Sequence, residues 1–451
     1  MREPVTLGVD CGTSGMRVNA VDADGVVVAD SRLLWRDGDQ RSPSAWRTAL
    51  FTLLSGLPED VRAASLALAI DGTSGTSLLV GEQDEVLAEP LMYNDACPEV
   101  AGALQSLAPA GHVAASTTSP VAKLLRWHAG GLLSRGASLQ HQADWLAACL
   151  HGERGCSDWH NALKAGFDPA ELRWPDWLLS DERVGSALPP RVFPPGDFVA
   201  RLLPGVASSL GLRPNCAVAA GTTDSIAAFF AASGGQPLRP GDAVTSLGST
   251  LALKLVSQAR LDNGPLGVYS HRLPPIAGGS RALVDTTWLA GGASNTGGAV
   301  LRSLFGDADT LAALSARVEA AMAADPRPTG LDYYPLLKPG ERFPVNDPFL
   351  PPRLSPRPPD DAAFLRGVLE SMSRIEADGY AKLAALGGPA VARVLTAGGG
   401  ARNGAWAAMR RAAIGGRVAV RAAPGGGEAA EGAALLARRA LKACGAASAA
   451  G

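Results

Sequence analysis

The sequence predicts two α/β domains of related design, and three observations carry that reading. The chain has 451 residues, beyond the size at which one hydrophobic core stops growing, so two domains are the expectation. Its first part alternates apolar strands with a helix and then a further strand, the order of an α/β sheet. An apolar strand, a turn of glycine and hydroxyl residues, and a returning apolar strand occur at residues 7–14 and onward, and again at 244–250 and onward. This reads as an internal duplication.

Taken in order, apolar strands are expected over 5–9, 16–21 and 26–29, with an Asp-Gly turn at Asp24-Gly25 between the last two. A helix is expected over 44–54, with Ser44 as its N-cap. A fourth strand over 65–70 runs into Asp71-Gly72-Thr73-Ser74-Gly75-Thr76. Later, 216–220 reads as a strand, Gly221-Thr222-Thr223 as a turn and 224–232 as a helix, and strands over 244–247 and 251–255 flank Gly248-Ser249-Thr250. The proline-rich stretch 326–359 cannot be regular helix. Helical periodicity returns over 362–386, and a strand over 391–395 leads into Gly398-Gly399-Gly400 and a helix over 404–413. An alanine-rich helix over about 428–441 comes last, ending near Gly445.

Composition excludes several classes. Hydrophobic residues make up 47% and charged residues 19%, with a formal net charge of −2. That balance is globular, and it offers no electrostatic footprint for nucleic acid or an anionic membrane. Six cysteines occur with no CxxC pair, so reduced thiols in a cytosolic protein are expected. No signal-peptide pattern precedes the first strand, and apolar runs such as 65–70 fall far short of a membrane span. The six histidines form no HxxxH or HExxH pattern, which argues against a dedicated zinc site. No GxxxxGK[ST] is present, and Gly72-Thr73-Ser74-Gly75 has the wrong spacing for a nucleophile elbow.

Three segments carry candidate chemistry. Turns rich in Gly, Ser and Thr let backbone N–H groups approach phosphate oxygens, although such turns also merely connect strands. Asp10, just before the first turn, suits Mg²⁺ held beside phosphate. Asp224 follows Gly221-Thr222-Thr223 at a strand-to-helix junction. It reads either as a capping aspartate or as a base facing an acceptor hydroxyl, kept ionised by the helix N-terminus. Gly398-Gly399-Gly400 would let a flat ligand lie against backbone, with Asn403 on its edge and Trp406 packed on its face. A glycine loop followed by a helix cap is the other reading of that segment.

In order and at approximate spacing, these pieces resemble the FGGY family of carbohydrate kinases, whose fold is that of actin, the heat-shock chaperones and hexokinase. The matching segments are Gly8-Val9-Asp10-Cys11-Gly12-Thr13-Ser14 with Arg17, Gly221-Thr222-Thr223-Asp224, Leu247-Gly248-Ser249-Thr250, Asn295-Thr296-Gly297-Gly298 and Gly398-Gly399-Gly400-Ala401-Arg402-Asn403. The resemblance implies two ribonuclease H-like domains around a central cleft that closes for catalysis. Residues 1–230 would form the sugar-binding, catalytic domain, with a returning helix at about 428–445, and 231–427 the nucleotide-binding domain. It implies ATP and Mg²⁺, with Asp10 and Thr13 handling phosphate and metal and Asp224 as the base. Gly248, Ser249, Gly298, Gly399, Gly400, Asn403 and Trp406 would hold the nucleotide, and Asp10, Ser74, Asp95 and Asp224 the sugar.

One departure bears on the substrate. Bacterial xylulokinases show a Trp-Asn/Gln-Asp-x-Arg segment where this chain has Tyr93-Asn94-Asp95-Ala96-Cys97, so an arginine is missing. That segment, with Ser157-Asp158-Trp159-His160-Asn161-Ala162-Leu163-Lys164, looks like the cyanobacterial and plant chloroplast branch, whose members are similar to D-ribulose kinases. D-Ribulose phosphorylation is therefore the first expectation and D-xylulose the nearest rival. A non-catalytic ATP-binding module of the same fold is the reading from a different class.

Overall fold

The computed structural model describes residues 3–274, 287–425 and 427–448. The chain forms two compact units: the first holds the chain up to Gly235 and again from Gly427, the second the described residues between them.

In the first unit, β1 (Val5–Cys11), β2 (Gly15–Asp22) and β3 (Val27–Leu34) form an antiparallel meander, and β4 (Ser65–Gly72) lies parallel to β1 on its other side. The strand Ala217–Ala219 continues the sheet parallel to β4, and Phe198–Arg201 closes it antiparallel. Helix α1 (Pro43–Ser55) starts one turn position earlier than the sequence reading. Its cap is Ser42, not Ser44: the Ser42 hydroxyl accepts from the Ala45 amide at 3.2 Å. Pro43 decides the matter, because the first helical position is the one where a missing N–H costs nothing. Trp46, Leu50, Leu53 and Leu54 recur at helical spacing and are buried against the sheet.

The alanine-rich helix Ala429–Ser448 returns to this unit and lies on β1, β4 and the helix Asp224–Ser233. Its Ala433, Ala437 and Ala440 pack against Ala67, Ala69, Ala217 and Ala219 of the sheet. The approach is so close that a Cβ on Gly8 would run into the Ala430 carbonyl, and one on Gly432 into that of Ala227. Small residues are thus a packing requirement here as well as good helix formers. The helix continues past Gly445, since a glycine inside a helix weakens it without ending it.

In the second unit the strand order is Tyr269–Arg272, Trp288–Ser294, Leu251–Ser257, Asp242–Leu247, Arg393–Ala397 and Ala419–Ala422. Asp242–Leu247 has an antiparallel hairpin partner on one side and the parallel strand Arg393–Ala397 on the other. β1 sits between β2 and β4 in the same way, so the duplication glimpsed in two short segments is a shared strand arrangement. The helix Asp361–Ala385 buries Phe364, Leu365, Val368, Leu369 and Met372 in this core. Within it, the buried Arg410 guanidinium grips the Glu376 carboxylate and donates to Thr396, while Thr245 donates to Glu376. Two strands and two helices are thereby fixed to one buried ion pair whose hydrogen bonds offset its desolvation. The proline-rich stretch forms no long element, and its Glu341 accepts from the Ser294 hydroxyl, the Asn295 amide and Tyr334.

Candidate active site

Register brings three aspartates together at the carboxyl ends of parallel strands. Asp10 on β1 pairs with Asp71 on β4, and Asp71 in turn pairs with Thr222. Gly221-Thr222-Thr223 is therefore not a simple turn: Thr222–Thr223 is a short strand that extends the edge of β4. Asp224 opens the following helix at its first helical position, with Thr223 as the cap residue. The Thr223 side chain makes no capping bond, and the Asp224 carboxylate accepts from the Ser225 amide at 2.6 Å.

The short strand is held from below. His160 Nδ1 lies 2.7 Å from the Thr222 hydroxyl, and the Asn161 side-chain amide donates to the Thr222 carbonyl at 3.2 Å. Both residues are oriented by Asp158, which accepts from their backbone amides at 2.8 and 3.0 Å. The segment 157–164, which the sequence offered only as a branch likeness, acts physically as a brace under Thr222.

The electrostatics of the aspartates are unusual. Burial raises the Asp10 carboxyl above the usual range, with a hydrogen bond from Asp71 and then the Arg17 charge pulling the other way. Burial carries Asp71 well above that range, and the negative charges of Asp10 and Asp224 add to the effect. Apart from the contact of Asp10 and Asp71 with each other, both Asp71 oxygens, one Asp10 oxygen and the hydroxyls of Ser74 and Thr223 are buried without a hydrogen-bond partner among the described residues. Acceptors and hydroxyls left this way suit a ligand that brings donors or positive charge. Thr13 is exposed in the β1–β2 turn, where Gly12 N donates to Gly15 O and the Trp35 indole donates to Gly12 O at 2.9 Å.

Asp71 escaped the sequence reading, although a signal was there. Asp71-Gly72-Thr73-Ser74 repeats the chemistry of Asp10-Cys11-Gly12-Thr13-Ser14, each an aspartate ending a strand before a Gly-Thr-Ser run.

Asp95, expected at the sugar, already has partners within the fold. Its carboxylate is engaged by Arg41 in a bidentate pair at 2.6 and 2.7 Å and also accepts from the Met92 amide at 2.7 Å. The hydrogen bonds from Arg41 hold its carboxyl below the usual range. Asp95 is a partner for Arg41 before it is a contact for anything else. Arg41 ends the 3₁₀ turn Asp39–Arg41. Nothing in the local sequence could have disclosed the pair, because it joins residues 54 positions apart.

The second unit contains a cavity of about 720 Å³. Gly248, Ser249, Gly298, Gly399, Gly400, Asn403 and Trp406 all line it, together with Arg302, Arg402 and Glu319. Gly399 lines the cavity, and a Cβ there would meet nothing within 4 Å. Gly400 differs: a Cβ there would press on Leu247 and the Trp406 ring at 2.7 Å.

Two of the predicted roles change. Trp406 is only 2% exposed and belongs to the core, so it supports the cavity floor and offers no open face for stacking. Asn403 caps the helix Gly404–Gly415, accepting from the Trp406 amide at 2.9 Å and donating to the Ser315 hydroxyl at 2.9 Å. Its oxygen and one N–H thus serve the fold, while the residue also lines the cavity. The first N–H groups of the helix Gly298–Phe305 are also taken, since Gly298 and Ala299 donate to the carbonyls of Gly248 and Ser249.

Against known proteins, residues 245–441 match the model of the FGGY family of carbohydrate kinases, C-terminal domain. The second half of the chain is thus similar to the C-terminal domain of that family. Across most of its length the chain is 26% identical to a xylulose kinase of Escherichia coli (strain K12), over 426 residues, 89% of this chain and 83% of that protein. A xyloylose kinase from Brucella ovis superposes with a TM-score of 0.78 at 20% identity, covering 97% of this chain and 91% of that one. A gluconate kinase from Lactobacillus acidophilus gives the same TM-score at 17% identity, covering 98% and 90%. The fold is that of the FGGY sugar kinases, the actin- and hexokinase-like two-domain α/β fold. Among the described residues no helix is long and apolar enough to cross a membrane, and no group of three or more His, Cys, Asp or Glu could hold a metal ion.

Proposed function

We propose that this chain is an ATP-dependent kinase that transfers the γ-phosphoryl group to a hydroxyl of a small ketose or polyol. The observation that carries the reading is the convergence of Asp10, Asp71 and Asp224 at adjoining strand ends, with unpartnered Ser74 and Thr223 hydroxyls buried in the same unit. A sugar offers hydroxyl donors to such acceptors. Asp224 accepts the proton of the attacking hydroxyl and orients it, which matters more than basicity when the transition state is loose. The glycine-lined cavity of the second unit takes the nucleotide, with Gly399 leaving room for it and Gly248-Ser249 forming the phosphate side.

Mg²⁺ fits the residues present. Asp10 and Asp71 offer hard, buried carboxylate oxygens that bond to no other described side chain than each other, and Mg²⁺ is usually bound by one or two carboxylates plus water and substrate phosphate. When bound, the ion neutralises charge on the transferring phosphate. Asp10 would hold it, and Thr13 would meet the phosphates.

Within this class the substrate is a pentulose. D-Ribulose is supported by the 93–97 departure and the 157–164 segment. D-Xylulose is the second reading, favoured by the name of the E. coli relative. The two differ in configuration at C3, and a buried polar group left unpaired by the wrong epimer costs roughly 1–3 kcal/mol. ADP release measured with pentuloses, pentitols and glycerol tests the kinase reading. A higher kcat/KM for D-xylulose under the same ATP and Mg²⁺ would remove D-ribulose, and no turnover with any acceptor would favour the non-catalytic module.

A further inference from the structure

Lys123 is fully buried on the helix Pro120–Ala129, and none of the roles assigned above uses it. Its ammonium donates to three backbone carbonyls: Gly75 at 2.6 Å, Met92 at 2.6 Å and Leu91 at 3.1 Å. A buried charge is costly unless fully hydrogen-bonded, and three N–H donors meeting three carbonyls is the full complement of an ammonium. The carbonyls come from two separate segments. Gly75 belongs to the turn that carries Ser74, whereas Leu91 and Met92 open the loop that carries Asp95. Backbone pairing joins the same segments, with Ser77 and Leu91 exchanging amide–carbonyl bonds at 2.9 and 3.0 Å. The Tyr93 amide donates to the Thr76 hydroxyl at 3.1 Å.

We propose that Lys123 is a positioning residue for the acceptor sugar: its ammonium fixes the Ser74 turn against the Met92–Asp95 loop, and so sets the sugar-facing hydroxyl and the Arg41–Asp95 pair in one geometry. This rests on the kinase reading and on Ser74 as a sugar contact. Each carbonyl also accepts a second bond, Gly75 from the Ser77 hydroxyl at 3.0 Å, Leu91 from the Ser77 amide at 2.9 Å and Met92 from the Asp95 amide at 3.0 Å; what a hydrophobic residue of similar length could not supply is one group that donates to both segments at once. Burial lowers its ammonium to about 8, with the charges of Asp95 and Cys97 opposing that shift and Arg41 reinforcing it. The neighbouring Cys97 thiol is pushed up by burial, and Arg126 faces it. A neutral amine has two N–H groups for three carbonyls, so the clamp loosens as the proton leaves.

The sign for stability is opposite to the sign for binding. A lysine whose folded value is depressed makes the folded state relatively more stable as pH rises from about 8 towards the unfolded value of 10.5. Loss of sugar affinity in that range therefore cannot be ascribed to unfolding through Lys123. The test is the KM for the sugar and the KM for ATP, measured by ADP release from about pH 6.5 to about 9.5, in wild type and in Lys123→Gln, with Tm recorded at each pH. The expected result is a sugar KM that climbs above about pH 8 in wild type, by at least about tenfold, while the ATP KM and Tm hold. In Lys123→Gln the sugar KM is raised throughout and flat with pH. A wild-type sugar KM flat across the range overturns the assignment and leaves the kinase standing, even if Lys123→Gln does not fold. So does a Lys123→Gln variant that loses ATP and sugar affinity equally with a lowered Tm. No ADP release with any acceptor overturns the kinase reading first, and this assignment with it.

Discussion

Replacing Trp406 by alanine separates a cavity floor from a stacking platform. The ring is 2% exposed, packed beneath Gly400 and against the core of the second unit. Truncating a buried tryptophan to alanine typically costs about 3–5 kcal/mol, a large part of a domain stability of about 5–15 kcal/mol. At about 2–4 °C per kcal/mol for a domain of this size, Tm should fall by roughly 6–20 °C. A ring stacked openly on a base would instead contribute about 1–3 kcal/mol to nucleotide affinity and little to folding. The assay is a thermal melt without ligand, followed by nucleotide and sugar KM values measured well below the lowered Tm. On the proposed nucleotide site, the expectation is a large Tm loss, with ATP affinity weakened more than sugar affinity because the collapsed floor lines that cavity. Trp406→Phe should recover most of the Tm. An unchanged melt with lost ATP affinity would refute the placement of the ring in the core.

Other substitutions probe the remaining assignments. Asp224→Ala should lower kcat by about 10²–10⁴ while ATP affinity persists, and wild-type turnover would take Asp224 out of the mechanism. Gly399→Val adds a side chain at the cavity lining, where a Cβ meets nothing within 4 Å, so the ATP KM should rise at least about tenfold with Tm and sugar KM unchanged; an unaffected ATP KM would move the nucleotide elsewhere. Arg41→Ala breaks a pair whose side chains are 37% and 20% exposed, so Tm should move little, by about 1 kcal/mol or less in stability. The sugar KM should rise nonetheless, and an unchanged sugar KM would confine the pair to the surface.

The sequence by itself determined the α/β class, the two hairpins and the glycine positions around the second unit's cavity. These depend on local patterns: alternating apolar runs, Gly-hydroxyl turns and helix caps act over a few residues, so they are written in consecutive letters. Local reading also had limits at short range, where Pro43 settled a cap between two serines and strand pairing turned Thr222–Thr223 from a turn into an edge strand. Tertiary structure alone decided which polar groups are already taken. Asn403 and Asp95 look available in sequence, yet one caps a helix and the other pairs with Arg41. Trp406 looks like a platform and is a floor, and Asp71 and Lys123 acquire meaning only from what burial places around them. The physical reason is common to all five: whether a polar or aromatic group can serve a ligand depends on desolvation and on partners far away in the chain, and neither is carried by the neighbouring residues.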